Sequence, residues 1–122
     1  MKKCLICEIL NGKEGYAKID ETKEFITFID LNPNNKEIAL IISKKHEICT
    51  IDSKNLENLI LKRNKISNVI STKLKINYLM LDISIEAHHT YASIYPKEIN
   101  EQISKKNILE ENKEIISELI IK

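Results

Sequence analysis

The chain has 122 residues, of which 43 % are hydrophobic and 30 % charged, so its composition is that of one soluble globular domain and excludes a disordered segment. Its 19 basic and 18 acidic side chains leave a net charge of +1, which argues against a nucleic-acid partner, since such binding needs a basic excess. Arg63 is the only arginine. Bidentate recognition of phosphate or guanine by arginine is therefore disfavoured.

Membrane and secretory signals are missing from the sequence pattern. No apolar run approaches the roughly 18–20 residues of a membrane span. Glu8 and Asn11 interrupt the N-terminal segment where a signal peptide would need apolar residues. We therefore expect a cytoplasmic protein without membrane association. The odd count of three cysteines, in a reducing compartment, does not favour a disulfide framework.

Hydrophobic patterning predicts the elements of a single α+β domain over residues 1–122. The β-prone runs predict five strands, at 16–19, 24–29, 37–42, 78–85 and 89–95. Helical spacing predicts a short helix at 7–11, a long helix at 56–74 and a C-terminal helix at 108–120. Because the strands mostly follow one another without helical crossovers, we expect a five-stranded antiparallel sheet.

The first chemical motif is the Cys-x-x-Cys pair of Cys4 and Cys7, whose tight turn can bring two sulfurs to tetrahedral spacing around one zinc ion. His46, after the third predicted strand, and His89, at the start of the fifth, could complete a Cys2His2 site. Spacing alone leaves open a metal-free pair of buried cysteines. A redox dithiol is less favoured, because no strand precedes the motif. Cys49 is most simply a small buried thiol.

Three segments resemble the bacterial histidine-triad (HIT) family. Residues 4–12, 25–33 and 38–46 are similar to the family's opening, its second strand with the following loop, and its central strand, and the match runs over 4–97. The resemblance implies a HIT-like α+β fold and a two-fold homodimer in which sheets join and long helices pack. The apolar stripe of the long helix at Leu59, Ile66 and Ile70 either supplies such a surface or faces its own core.

The signature that gives the family its name alternates three histidines with apolar residues. Anchored on residues 96–97, the three positions fall on His89, Tyr91 and Ser93, and starting at His88 does not restore them. In the family the middle histidine attacks the α-phosphate of a nucleotide. A phenol, with an ordinary pKa of about 10, is a much poorer nucleophile near neutral pH. The resemblance therefore implies a degenerate triad that lacks nucleotide hydrolase and transferase activity.

A second departure concerns the phosphate site. Family members carry a glycine-rich stretch before the triad, whereas residues 81–88 contain no glycine. Backbone approaches phosphate closely only where side chains are absent. Asp82 and Glu86 would also repel a phosphate group.

The resemblance assigns roles to five residues. In zinc-containing relatives the ligands correspond to Cys4, Cys7, His46 and His89, which implies a structural zinc ion. Asp30 corresponds to the carboxylate that binds the ribose hydroxyls of a purine nucleotide. The alternative for Asp30 is a simple turn carboxylate ahead of an Asn-Pro pair.

The residues and the resemblance leave three candidate functions. The first is a degenerate HIT-like protein that keeps the fold and a structural zinc and acts by binding a nucleotide or a protein partner. The second is an active nucleotide phosphate or phosphoramidate hydrolase of the same family with altered catalytic residues. The third is a small zinc-binding module with no nucleotide ligand.

Overall fold

The structure is a computed structural model that describes residues 5–44, 53–76, 79–86, 89–97 and 104–121. The helices within these ranges are α1 (Leu5–Leu10), α2 (Ser53–Leu74), α3 (Lys105–Glu111) and α4 (Lys113–Leu119). The strands are β1 (Tyr16–Glu21), β2 (Phe25–Asp30), β3 (Ala39–Ser43), β4 (Leu79–Glu86) and β5 (His89–Pro96). The predicted α+β class is confirmed.

The five strands form one antiparallel sheet in the order β1-β2-β3-β5-β4. β1 and β2 form a hairpin, whose turn is closed by a 2.8 Å hydrogen bond from the Thr22 amide to the Phe25 carbonyl. β5 lies between β3 and β4, so the last strand of the chain is inserted beside the third. This placement puts β5 inside the described sheet and leaves β4 as an edge strand.

The main core lies between one face of the sheet and the helices α2, α3 and α4. Leu59, Ile66 and Ile70 are buried in it, so the apolar stripe of α2 faces its own sheet. Ile108 of α3 and Ile116 of α4 extend this core. Burial of apolar side chains from both layers is the main stabilising contribution.

A second apolar cluster covers part of the opposite face. Ile6 and Ile9 of α1 pack against Phe28, Leu40 and Ile42 of the neighbouring strands β2 and β3. Tyr91 of β5 lies half-buried at the margin of this cluster. The β4 end of the same face carries exposed side chains, among them Asp82 and Met80.

The single C-terminal helix predicted from spacing is divided into two. Asn112 leaves the helical conformation, with φ −113° and ψ 20°, and its side-chain amide donates to the Ile108 carbonyl at 2.9 Å. The Ile108 carbonyl also accepts the backbone amide of Asn112 at 3.2 Å, so Asn112 is both the C-cap of α3 and the N-cap of α4. Beyond α4, the Ile121 amide donates to the Lys18 carbonyl at 2.8 Å and ties the chain to β1.

None of the described helices combines the length and apolarity that a membrane crossing requires.

Candidate functional site

The candidate site is built on β5, which carries the three predicted triad positions. Because side chains alternate along a strand, the positions of His89, Tyr91 and Ser93 share one face of the sheet. That face also carries Leu40 and Ile42 of β3, which lie opposite Ser93 and Tyr91. The strand therefore presents a phenol and an alcohol at two of the three positions where the resemblance expects imidazoles.

Tyr91 and Ser93 differ in their surroundings. Tyr91 is half-buried beside the apolar cluster of α1, whereas Ser93 is buried with 7 % of its surface exposed. Across the other edge of β5, Asp82 of β4 is the register partner of Ser93. A carboxylate on a neighbouring strand thus lies at the level of the third triad position.

β4 replaces the expected phosphate loop with a regular strand. It runs through Leu79–Glu86 and pairs with β5 along its whole length. The Tyr95 hydroxyl donates a 2.5 Å hydrogen bond to Asp82 Oδ2, and this hydrogen bond is the main reason that the pKa of Tyr95 lies above its usual value. Lys36 Nζ lies 4.4 Å from the centre of the Tyr95 ring, in a cation–π contact. These contacts fix the Asp82 carboxylate on the sheet face.

The structure describes two of the four predicted zinc ligands in part. Cys7 lies half-buried on α1, and His89 is placed by its backbone at the start of β5, while Cys4 and His46 lie outside the described residues. α1 packs on the sheet face that carries the His89 position, and β3 ends at Ser43 beside the beginning of β5. In the described ranges no group of three or more potential metal ligands is gathered.

Asp30, the predicted ribose ligand, ends β2 and is 1 % exposed. Its Oδ1 accepts a 2.8 Å hydrogen bond from the Asn32 amide, and its Oδ2 accepts a 3.0 Å hydrogen bond from Asn35 Nδ2. The first of these is the two-residue contact of an Asx turn, which is the alternative that the sequence offered for Asp30. Both carboxylate oxygens are therefore engaged by the chain itself.

Lys105 was not singled out in the sequence. It is the first residue of α3, after the N-cap Ser104, and its Nζ lies 3.1 Å from Asp30 Oδ1 with both side chains 1 % exposed. Burial lowers the pKa of Lys105 and outweighs the opposing attraction of the carboxylates of Asp30 and Glu37. A lysine in the first turn of a polar helix carries no sequence signal for burial, since such residues are usually solvated.

Comparison with known proteins gives matches to sequence relatives and to solved structures, but not to a family model. No protein-family model matches the chain. The chain is 30 % identical over 130 aligned positions to an uncharacterized HIT-like protein of Mycoplasma genitalium, and the alignment covers 94 % of this chain and 92 % of the relative.

Solved structures share the fold. A HIT-like protein involved in cell-cycle regulation from Bartonella henselae matches with a TM-score of 0.64 and 21 % identity over 95 % of both chains. A Zn-bound histidine triad family protein from Mycobacterium smegmatis matches with a TM-score of 0.62 and 15 % identity, over 94 % of this chain and 96 % of that chain. At these identities the structural matches establish the fold.

Proposed function

We propose, since this chain belongs to the HIT-like family, that it binds a purine nucleotide without hydrolysing or transferring it. The observation that carries the proposal is the register of β5, in which Tyr91 stands between His89 and Ser93 on one sheet face. The fold is retained around this strand, while the nucleophile that the family chemistry requires is replaced.

The chemical difference between the two side chains supports the loss of turnover. An imidazole with a pKa of about 6.5 is largely neutral and nucleophilic near pH 7, whereas a phenol with a pKa of about 10 is largely protonated. Covalent nucleotidyl transfer also needs a group that leaves again easily in the second step. Ser93, buried in the strand, supplies neither the charge nor the basicity of a third histidine.

The geometry of β4 supports weak binding of the phosphate. β4 is a regular strand without glycine, so its side chains limit how closely the backbone amides can approach a phosphate. The Asp82 carboxylate, fixed by Tyr95, adds electrostatic repulsion on the same face. We therefore expect the nucleoside to supply most of the binding free energy and the phosphate little of it.

Titration calorimetry with adenosine and with AMP tests this proposal. We expect saturable binding of both, with dissociation constants that agree within about threefold, that is, within about 0.7 kcal/mol. Inorganic phosphate serves as the matched control and should give no heat of binding. If neither adenosine nor AMP produces heat or a thermal shift, nucleotide binding is excluded. A zinc-binding module without a nucleotide ligand is then the better-supported function.

A structural zinc ion held by Cys4, Cys7, His46 and His89 is part of the proposal. The chain path around α1, β3 and β5 supports it, as does the Zn-bound family protein from Mycobacterium smegmatis. When bound, zinc would link the N-terminal segment to the sheet and stabilise the fold.

Elemental analysis should then give about one zinc per chain, and Cys7→Ser should lose both the metal and thermal stability. Cys49→Ser is the control and should keep both; metal-free wild-type protein would contradict the assignment.

We also propose a homodimer joined through β4. The apolar stripe of α2 lies in the core of its own chain, so it leaves the sheet edge as the surface for a second copy. β4 is eight residues long, contains no proline, glycine or lysine, and lies at the edge of the described sheet. An edge strand of this length, without proline or lysine, offers backbone groups that can pair with another strand.

A further inference from the structure

Asp30 and Lys105 join two distant parts of the chain. Asp30 ends β2, and Lys105 begins the C-terminal helix α3, with 3.1 Å between Asp30 Oδ1 and Lys105 Nζ. Both side chains are almost completely buried. The pair therefore attaches the C-terminal helices to the strand end that carries the proposed ribose ligand.

We infer that Lys105 is an internal ligand of Asp30, so that α3 and the hydroxyl groups of a bound nucleoside compete for the same carboxylate. The inference rests on the proposed nucleotide binding, because it concerns the residue expected to hold the ribose. It adds a regulatory contact to that site: the docked α3 closes the site, and a hydroxyl-bearing ligand opens it.

The first argument is that other groups of the chain already bind the Asp30 carboxylate. A carboxylate offers about four lone-pair positions. Asn32 and Asn35 already donate to its two oxygens from the adjoining loop, and Lys105 adds a cation on Oδ1. A vicinal diol needs an acceptor for each hydroxyl, and Asp30 is 1 % exposed. Of these three partners, Lys105 alone comes from a distant segment, so it can withdraw without disrupting the loop.

The second argument is that the hydrogen-bonding capacity of the Lys105 ammonium group is poorly used. An ammonium group has three donors, yet among the described residues Nζ makes no aligned hydrogen bond, although it lies 3.1 Å from Oδ1. Taking a charge out of water is unfavourable, and a buried ion pair compensates for this only with good geometry. Withdrawal of Lys105 returns its ammonium group to water, which offsets much of the lost attraction.

The surrounding charges are the third argument. Glu37 adds a second carboxylate near Lys105, and Tyr16, which lies opposite Asp30 in the sheet, has its pKa raised first by burial and then by these two carboxylates. The site therefore holds an excess of negative charge that attracts a cation or a hydrogen-bond donor. Ribose hydroxyls are donors and can replace the ammonium group on Asp30.

The anchoring of the remaining C-terminal chain shows how far such a release extends. Ile108 and Ile116 are buried in the main core, and Ile121 is hydrogen-bonded to β1. The first turn of α3, capped by Ser104, can therefore open while α4 stays docked. The release is local and does not require unfolding of the domain.

Calorimetry on Lys105→Met tests the competition, with Lys106→Met, an exposed neighbour on the same helix, as the control. We expect Lys105→Met to bind adenosine about tenfold or more tightly than the wild type, because the closed state no longer competes. Lys106→Met should bind like the wild type. Binding of 2′,3′-dideoxyadenosine should not change between the variants, since it lacks the vicinal 2′ and 3′ hydroxyls. Equal or weaker adenosine binding by folded Lys105→Met would overturn the inference, as would an equal gain for the dideoxy compound.

Lys105→Met leaves Asp30 buried without its cation, and this can prevent folding. A measurement on the wild-type protein tests the competition without that variant. In hydrogen exchange, adenosine should accelerate the amides of the first turn of α3, including that of Ile108, which is bonded to the Ser104 carbonyl, and leave those of α2 unchanged. Slower or unchanged exchange in α3, with adenosine bound, overturns the competition while nucleotide binding stands. Absence of adenosine and AMP binding in both wild type and folded Lys105→Met overturns the proposed function, and the inference with it.

Discussion

Tyr91 illustrates that a residue can suit the packing of its strand independently of any chemistry at the site. Tyrosine is a strand-forming residue, and here it lies half-buried against the apolar cluster of α1, where its ring adds contact area. The same position in β5 is the one where the family chemistry needs an imidazole. Selection for the fold and selection for the reaction therefore act on different properties of this side chain.

Lys75 is a second informative residue, because it adopts a positive φ of 55° directly after α2. The next amide, of Ile76, donates to the Ser71 carbonyl at 3.2 Å, which is the six-residue hydrogen bond of a Schellman turn. Glycine is favoured at this position, because a side chain is strained in the left-handed region. Lys75→Gly should therefore raise the free energy of unfolding by about 0.5–1 kcal/mol, measured by urea denaturation.

Lys73→Gly provides the matched control, since it removes the same side chain two residues earlier, in the last turn of α2. That change should lower the free energy of unfolding by about 1 kcal/mol. A loss of stability in Lys75→Gly comparable with that in the control would contradict the turn geometry.

Glu21 links the surface charges of the hairpin to pH. Lys18 Nζ and Lys44 Nζ lie 2.8 Å and 2.7 Å from its two carboxylate oxygens, and these hydrogen bonds lower its pKa to about 2. A carboxyl group whose pKa is lower in the folded chain stabilises the fold above its unfolded pKa. That contribution is lost as the pH falls from about 4.5 through about 2.

Glu21→Gln should therefore flatten the dependence of stability on pH across this acidic range, as followed by thermal denaturation. The effect should shrink at high salt, because the group is exposed and its ion pairs are screened. Glu24→Gln, in the adjoining turn, makes the same change in net charge and is the control. An identical pH profile for Glu21→Gln and the wild type would exclude a role for these ion pairs.

At the scale of elements, local signals located the helices and strands but not their pairing. The helix period predicted α2, and β-prone runs predicted β1 and β2, because both signals depend on neighbours in the sequence. The insertion of β5 between β3 and β4 depends on contacts between distant segments, which no local pattern specifies. Asn112 separates α3 from α4, because it ends one helix and caps the start of the next.

The β4 edge gives a prediction at this scale. If two copies pair through β4, light scattering should give twice the 14.1 kDa chain mass. Met80→Lys, at an exposed position of β4, should return the protein to one chain mass, because lysine on an edge strand opposes pairing. Leu61→Lys, at an exposed position of α2, is the control and should leave the dimer intact. A wild-type protein that stays at one chain mass at high concentration would contradict the dimer.

For the whole molecule, the fold followed from the sequence more completely than the site did. Apolar periodicity identified the antiparallel α+β domain, and the resemblance identified the strand that carries Tyr91. The burial of Asp30 by Lys105 was not predictable, because the two residues are far apart in the chain and each looks solvated by itself. Fold depends on many apolar residues acting together, whereas a site depends on a few polar contacts made by tertiary structure.

Release of AMP from an adenosine phosphoramidate measures most directly whether β5 has lost its chemistry. With tyrosine at position 91, the zinc-loaded wild-type protein should release no AMP above the rate in buffer, and Tyr91→Phe should behave identically. AMP release by the wild type that Tyr91→Phe abolishes would show that the phenol acts as a nucleophile. Release that survives Tyr91→Phe and is lost in His88→Ala would show a rearranged site. Either result would contradict a HIT-like protein that binds nucleotides without turnover.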